Sequence, residues 1–329
     1  MDFIKTFPDV MKGKKIMYVH GFGSSAQSGT VKRLRNLFPN AEVIARDMPI
    51  HPAEALALLH RLCEEEKPDL IIGTSMGGMY TEQLYGFDRI LINPAFQMGD
   101  TMQEHGLTGK VTFLNPREDG ATEFLCNKAL VAEYREATTL CFEHADDEGE
   151  DGRVYGLFGD KDELVHTFDL FRSHYSKAIH FHGEHRLNDH ALLHAVAPVV
   201  RWIDDRQEGR ERPIVFIAVE DTLKAGDSPA PSAQKAFRML IENYDVYLVA
   251  DSVSSDPQRQ TDVMRWVEEY FSVPAYDRLI FINQKQLLYG DYLIDSRRSG
   301  FMGTLLKYGE DPLKTWDDVI VFFERLGGQ

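Results

Sequence analysis

Nine residues, Leu70-Ile71-Ile72-Gly73-Thr74-Ser75-Met76-Gly77-Gly78, constrain this chain more than any other stretch. An apolar run of strand length ends at a serine that has glycines two places before and two places after it. The helix-like Met79-Tyr80-Thr81-Glu82-Gln83-Leu84-Tyr85 follows, so the spacing predicts a buried strand turning sharply into a helix, with the Ser75 hydroxyl exposed on the turn. Gly73 and Gly77 have a steric reason to stand there, since a Cβ on either side would obstruct the bend. A turn of this kind sits at the end of a parallel sheet, so the flanking sequence has to alternate strands with helices.

It does. Strands are expected at 15–19, 41–45, 70–74 and 89–93, with helices over 31–38 and 52–66, the pattern of a parallel sheet covered on both faces. From 95 to about 151 the alternation lapses into a polar, charge-rich, partly helical stretch, read as a lid-like insertion whose acidic end, 146–151, is expected to be a solvated loop, with a divalent-cation site as the alternative. The sheet resumes at 154–158 and 178–181 around a helix over 163–175, and an apolar-striped helix over 191–204 closes it. Residues 204–212 have almost nothing to bury and mark a boundary, which gives a first domain over 1–207 and a second over 212–329. In the second, strands at 214–219, 246–249, 279–282 and 292–294 alternate with helices over 232–243 and 262–271, a smaller Rossmann-like α/β domain.

Charge narrows the partners. A net charge of -16 disfavours nucleic acid and anionic membrane surfaces, which call for a basic face. No apolar run approaches the roughly 20 residues of a membrane span, and no secretory leader is evident, so the cytoplasm is the expected compartment. Cys63, Cys126 and Cys141 are odd in number and lack metal-ligand spacing, so buried thiols are expected rather than disulfides or zinc. No metal or cofactor is expected, and the partner is a small molecule.

An acyl-transfer site needs a nucleophile, a base, an acid that orients the base, and donors for the oxyanion. In α/β-hydrolases the chain order is Ser, then Asp or Glu, then His, on loops at the carboxyl ends of strands. Here Gly159-Asp160-Lys161-Asp162 follows one strand and His182-Gly183-Glu184-His185 the next. Asp162 is preferred to Asp160 because it stands directly before an apolar helix start. His185 is preferred to His182, which still belongs to the strand, and to His190, which lies in the final helix. The backbone N–H groups of Phe22, in His20-Gly21-Phe22, and of Met76 are the expected oxyanion donors, with the His20 ring bracing its loop.

Three motifs, Tyr18-Val19-His20-Gly21-Phe22-Gly23-Ser24-Ser25, Gly73-Thr74-Ser75-Met76-Gly77-Gly78 and Leu91-Ile92-Asn93-Pro94-Ala95, resemble those of the small bacterial esterases of the YqiA-like α/β-hydrolase family. The resemblance covers roughly 14–204 and implies an α/β-hydrolase fold and hydrolysis of short acyl esters or thioesters. The insertion is longer and more acidic than that pattern, so no substrate preference is carried over.

The second half carries another resemblance. Ile217-Ala218-Val219-Glu220-Asp221-Thr222-Leu223, at a strand end, resembles the first motif of the haloacid-dehalogenase-like superfamily, which reads Asp-x-Asp-x-Thr in an active phosphatase. Ala218 stands in the place of the nucleophile, Glu220 in that of the second acid, and Ala250 where a Ser or Thr would donate to the phosphoryl group. Lys285 matches the phosphate-neutralising lysine, and Gly290-Asp291-Tyr292-Leu293-Ile294-Asp295-Ser296 and Thr315-Trp316-Asp317-Asp318 resemble the 5'(3')-deoxyribonucleotidase branch. The resemblance implies a vestigial phosphate or metal site at Glu220, Lys285, Asp291 and Asp295, in a domain unable to transfer phosphoryl groups by the family's mechanism. The expected activity is a serine esterase or thioesterase with an accessory pseudo-phosphatase domain; the alternative is a nucleotide- or phosphate-sensing protein acting through that domain.

Overall fold

A computed structural model describes residues 5–326 except 105, 107, 253–255 and 272–277. The chain divides into two compact units, Met1–Gln207 and Glu208–Gln329.

The first unit opens with β1 (Lys15–Val19), α1 (Gly29–Leu37), β2 (Glu42–Ala45), α2 (Pro52–Glu66), β3 (Leu70–Thr74), α3 (Met76–Glu82) and β4 (Arg89–Ile92). An insertion follows, with α4 (Met98–Glu104), β5 (Gly109–Thr112), β6 (Glu123–Cys126) and α5 (Lys128–Thr138). Then come β7 (Val154–Gly159), α6 (Phe168–Arg172), β8 (Ala178–Phe181), α7 (Asp189–Ala191) and α8 (Ala197–Glu208). The sheet strands pair in parallel in the order β2-β1-β3-β4-β7-β8. Ile71, Ile72, Ile90 and Leu91 are almost wholly buried at its centre, each contributing about 1.5–3 kcal/mol of burial. A parallel sheet with helices on its faces and a serine turn after a central strand is the α/β-hydrolase fold.

Four expectations change. The helix over 163–175 shrinks to α6, because the Asp162 carboxylate takes the Leu164 and Val165 amides at 2.8 and 3.0 Å, a local turn that competes with helix. The closing helix starts earlier, at an Asn188 cap, passes through a wide turn over Leu192–Val196 and runs on to Glu208. Asp204 and Asp205 are therefore buried rather than linker-like, and Asp204 accepts from Lys14 Nζ at 2.7 Å. The acidic end of the insertion is only partly solvated: Glu150 is buried, paired with Arg89 and accepting from the Gly86 amide at 2.7 Å. Finally, the insertion holds an antiparallel hairpin, β5 with β6, that its polar sequence conceals.

The second unit contains β9 (Ile214–Ala218), a small hairpin of β10 (Lys224–Ala225) and β11 (Ser228–Pro229), α9 (Ala233–Asn243), β12 (Asp245–Ala250), α10 (Pro257–Phe271), β13 (Leu279–Phe281), β14 (Tyr292–Asp295), β15 (Thr304–Lys307) and α11 (Trp316–Arg325). Its sheet is parallel in the order β13-β12-β9-β14-β15, a Rossmann-like arrangement whose strand order reverses between β9 and β14. The edge strand β15 and the helix α11 extend it beyond the strands and helices expected from sequence.

Candidate active site

Ser75 lies between β3 and α3 with φ 54° and ψ -121°, a left-handed backbone that costs a residue with a Cβ about 1–3 kcal/mol. Its neighbours hold it there. A Cβ on Gly73 would collide with Thr81 and the Gly77 carbonyl, and one on Gly77 with the Val19 and His20 carbonyls. These glycines serve the close approach of the turn, its helix and the β1 loop, in addition to the bend itself.

Asp162, 7% exposed, follows β7, and His185 follows β8. Asp162 Oδ2 lies 2.7 Å from His185 Nδ1, and His185 Nε2 lies 3.1 Å from Ser75 Oγ. Burial works against the Asp162 charge, but the His185 ring and the Leu164 and Val165 amides outweigh it and hold the carboxyl below its ordinary pKa. An ionised carboxylate only accepts, so Nδ1 carries the proton and Nε2 is left to accept from the Ser75 hydroxyl. Asp160 and His182 form a second pair at 2.9 Å. The other Asp160 oxygen accepts from the Gly183 amide at 2.9 Å, which fastens the loop bearing His185 to the loop bearing Asp162.

The loop after β1 comes up against the serine: a Cβ on Gly21 would stand 3.3 Å from Ser75 Cβ. His20, buried, accepts from the Met48 amide at Nε2 (3.0 Å), so its proton sits on Nδ1, which donates to the Gly21 carbonyl at 2.8 Å. Burial pushes its pKa down, despite the carbonyl and Asp47 pulling the other way. Among the described residues no acceptor is recorded for the Phe22 or Met76 amide. The insertion grips this loop: the Leu114 amide donates to the Gly23 carbonyl (2.7 Å) and Asn115 Nδ2 to Ser24 Oγ (3.1 Å), while Asp47, after β2, accepts from the Glu118 amide (2.7 Å) and from the Ala26 amide of the loop (2.7 Å). The Phe22 ring stands edge-on to Phe124 and Tyr134 at 5.2 and 5.9 Å. Nearby, a cleft of about 800 Å³ opens between the β2–α2 loop and the insertion, lined among others by Arg46, Ile50, His51, Glu54, Phe124 and Glu133. Ser75 and His185 are not among its lining residues.

In the second unit, Glu220, Lys285 and Asp295 gather at the carboxyl ends of the strands, beside Ala218 and Ala250. Asp291 does not. It precedes β14, and its carboxylate accepts from the Ile214 amide (2.8 Å) at the opposite end of the sheet, so it is a strand-end brace and no part of that site. The remaining charges satisfy one another. Lys285 Nζ donates to Asp295 at 2.6 Å, both buried; Arg297 forks onto Asp251 at 2.8 and 3.1 Å; the Asp251 amide donates to Glu220 at 3.3 Å. The Asp251 hydrogen bond is the main reason the Arg297 pKa rises. Among the described residues no three His, Cys, Asp or Glu side chains are gathered so as to hold a metal ion.

Comparison with known proteins finds similarities of two kinds. A protein from Vibrio phage KVP40 named "Putative 5'(3')-deoxyribonucleotidase" is 32% identical over 127 residues, 37% of this chain and 70% of its own. A Staphylococcus aureus protein of the same name is 28% identical over 105 residues, 28% of this chain and 58% of its own. Among solved structures, Est1E from Butyrivibrio proteoclasticus shares 15% identity over 63% of this chain and 92% of its own, with a TM-score of 0.41. The thioesterase domain from the curacin biosynthetic pathway shares 15% identity over 60% of this chain and 92% of its own, with a TM-score of 0.35. Residues 15–183, just over half of the chain, match the profile of the Uncharacterised protein family (UPF0227). The chain therefore belongs to UPF0227, and through its kinship with the phage protein also to the family of those deoxyribonucleotidase-named proteins.

Proposed function

We propose that the first unit is a serine hydrolase that cleaves a small acyl ester or thioester through Ser75, His185 and Asp162. The observation that carries this reading is the hydrogen-bonded row from Asp162 through His185 to Ser75, with the serine held on a left-handed turn. Ser75 Oγ attacks the acyl carbonyl while His185 Nε2 takes its proton and the anionic Asp162 holds the ring in the required tautomer. The Phe22 and Met76 amides, which meet no acceptor among the described residues, donate to the oxyanion. His185 then protonates the leaving group, and a water activated by the same nitrogen releases the acid.

A net charge of -16 favours neutral or cationic substrates over polyanions, and the partner is a small molecule rather than nucleic acid or a membrane. The second unit is an accessory domain silent in phosphoryl transfer, because Ala218 can neither attack phosphorus nor ligate magnesium. A nucleotide- or phosphate-sensing role would need Lys285 to meet an anion, and Asp295 already occupies it.

The test is a panel of short-chain p-nitrophenyl esters and thioesters with the wild type and Ser75→Ala side by side, together with labelling by a fluorophosphonate probe. Hydrolysis and labelling that both vanish in Ser75→Ala are expected. Folded wild-type protein that takes up no probe and turns over no ester would overturn the reading.

A further inference from the structure

The four residues that end β4 and follow it touch all three loops of the proposed triad. The Ile92 carbonyl accepts from the Ser75 amide at 2.9 Å, and the Ala95 amide donates to the Ser75 carbonyl at 3.0 Å, so the nucleophile turn is held from both sides. The Pro94 carbonyl accepts from Thr167 Oγ1 at 2.7 Å, which fixes the far end of the segment that begins at Asp162. Between them stands Asn93, 2% exposed and left-handed at φ 45°. Its Oδ1 accepts from the Gly159 amide at 2.7 Å, where β7 ends and the acid loop starts. Its Nδ2 donates to the carbonyls of Glu184 at 3.2 Å and of His185 itself at 3.1 Å.

The chemistry of this cradle selects one side chain. One acceptor must face an N–H while two donors on the same group face two carbonyls, and a primary amide is the side chain of that size that does both. Aspartate would set a carboxylate oxygen against two carbonyl oxygens, and leucine would take this partner away from three backbone groups. Asparagine also tolerates the left-handed backbone better than most residues with a Cβ. The segment Asn93-Pro94 serves the motif resemblance but carries no group that reacts, which is why its side chain is silent in a search for nucleophiles, bases and acids.

We propose that Asn93 is a positioning residue that sets the base against the nucleophile by clamping the His185 and Asp162 loops to the end of β4, the segment that holds the Ser75 turn. The inference rests on the serine-hydrolase reading for its kinetic consequence, though the clamp itself acts on the geometry of His185 whatever the substrate. Loosening the clamp lets the imidazole drift, and a misplacement of about 1 Å costs on the order of 100-fold in rate. The loss falls on kcat, because Asn93 is buried behind the loops and has no surface to offer a substrate.

Asn93→Gly is the first variant to make, since glycine accepts φ 45° without strain and retains every main-chain bond; Asn93→Asp is the second, nearly isosteric one. Each is measured for kcat and KM on the best p-nitrophenyl ester, for melting temperature, and for the low-field ring-proton resonance of the His185–Asp162 pair, with Ser75→Ala as the control. The expected result is a kcat lower by about 100-fold at an unchanged KM, and a low-field resonance lost or broadened in folded Asn93 variants but kept in Ser75→Ala. Variants that keep kcat within about twofold, or that keep the resonance, overturn the proposal. If the wild type turns over no ester, the resonance still decides: its dependence on Asn93 sustains the clamp although the hydrolase reading has failed. A wild type without the resonance overturns the clamp.

Discussion

Both units build a parallel sheet and gather polar side chains at the carboxyl ends of its strands, yet the two sites treat charge in opposite ways. In the first, the polar groups form a row that ends on a hydroxyl: Asp162 holds His185, and His185 faces Ser75. In the second, the groups close on one another, Lys285 with Asp295 and Arg297 with Asp251, around alanines at positions 218 and 250. The lesson is that a sheet end supplies placement only. Whether the charged groups there face a hydroxyl, as in the first unit, or pair with one another, as the described ones do in the second, is set by the residues that stand at those ends.

The most severe way to break this comparison is to strike the row. Ser75→Ala should lower ester turnover by about 10⁶-fold by removing the nucleophile, and Asp162→Asn by about 10⁴-fold by spoiling the tautomer. Both should leave the melting of the second unit unchanged. Measurable phosphatase activity in Ser75→Ala with magnesium and a deoxynucleoside monophosphate would instead make the second site the live one.

Next in size is the closed pair. Lys285 and Asp295 are both buried, so removing either partner alone, as Lys285→Met or Asp295→Asn, should destabilise the second unit by about 3–5 kcal/mol in denaturant titrations. Removing both should recover most of that loss, because an orphaned buried charge costs more than the pair contributes. Phosphate or a deoxynucleotide should produce no rise in melting temperature while the pair is intact.

Mild acid should separate the units. All 12 histidines precede residue 208, so protonation near the ordinary histidine pKa of about 6.5 acts on the first unit alone. Burial keeps His20 below that value, so the unfolded chain binds a proton there that the folded chain refuses. The stability it contributes is complete above about pH 6.5 and is lost as the pH falls through the lowered value. Asp162 repeats the pattern further down, its share complete above about pH 3.9 and lost through its own depressed pKa. His20→Gln should flatten the upper part of this slope in unfolding curves recorded against pH. The smallest effects come from helix caps. Asn127→Ala in the insertion and Thr315→Ala at the start of α11 should each cost about 1 kcal/mol, confined to the unit that holds the cap.

Much of this architecture is written locally in the chain. β1, α2 and β3 follow from unbroken apolar runs and from Pro52 and Pro68, which mark a helix start and stop. The row of Ser75, His185 and Asp162 could be expected from the chain order of the three residues on segments that follow strands, and the structure brings the three side chains into hydrogen-bond contact. What the sequence hides depends on partners far away in it. Asp291 resembles a family acid, but one strand length separates it from Lys285, and only the register of β14 against β9 says so. Asp162 unwinds the helix expected after it by spending one carboxylate oxygen on the next amides. Asn93 ranks as an ordinary strand-end polar residue until Gly159 and His185 arrive around it.

The grip of the insertion on the loop after β1 has a consequence for how this fold could be altered. Leu114, Asn115 and Phe124 hold Gly23, Ser24 and the Phe22 ring, and Phe22 offers one of the two amides proposed to meet the developing negative charge. Exchanging residues 95–151 for another segment would therefore retune the stabilisation of the transition state along with the choice of substrate. In such chimaeras, selectivity and turnover would shift together, and an engineer seeking a new substrate would have to graft the contacts to Gly23 and Ser24 before redesigning the walls.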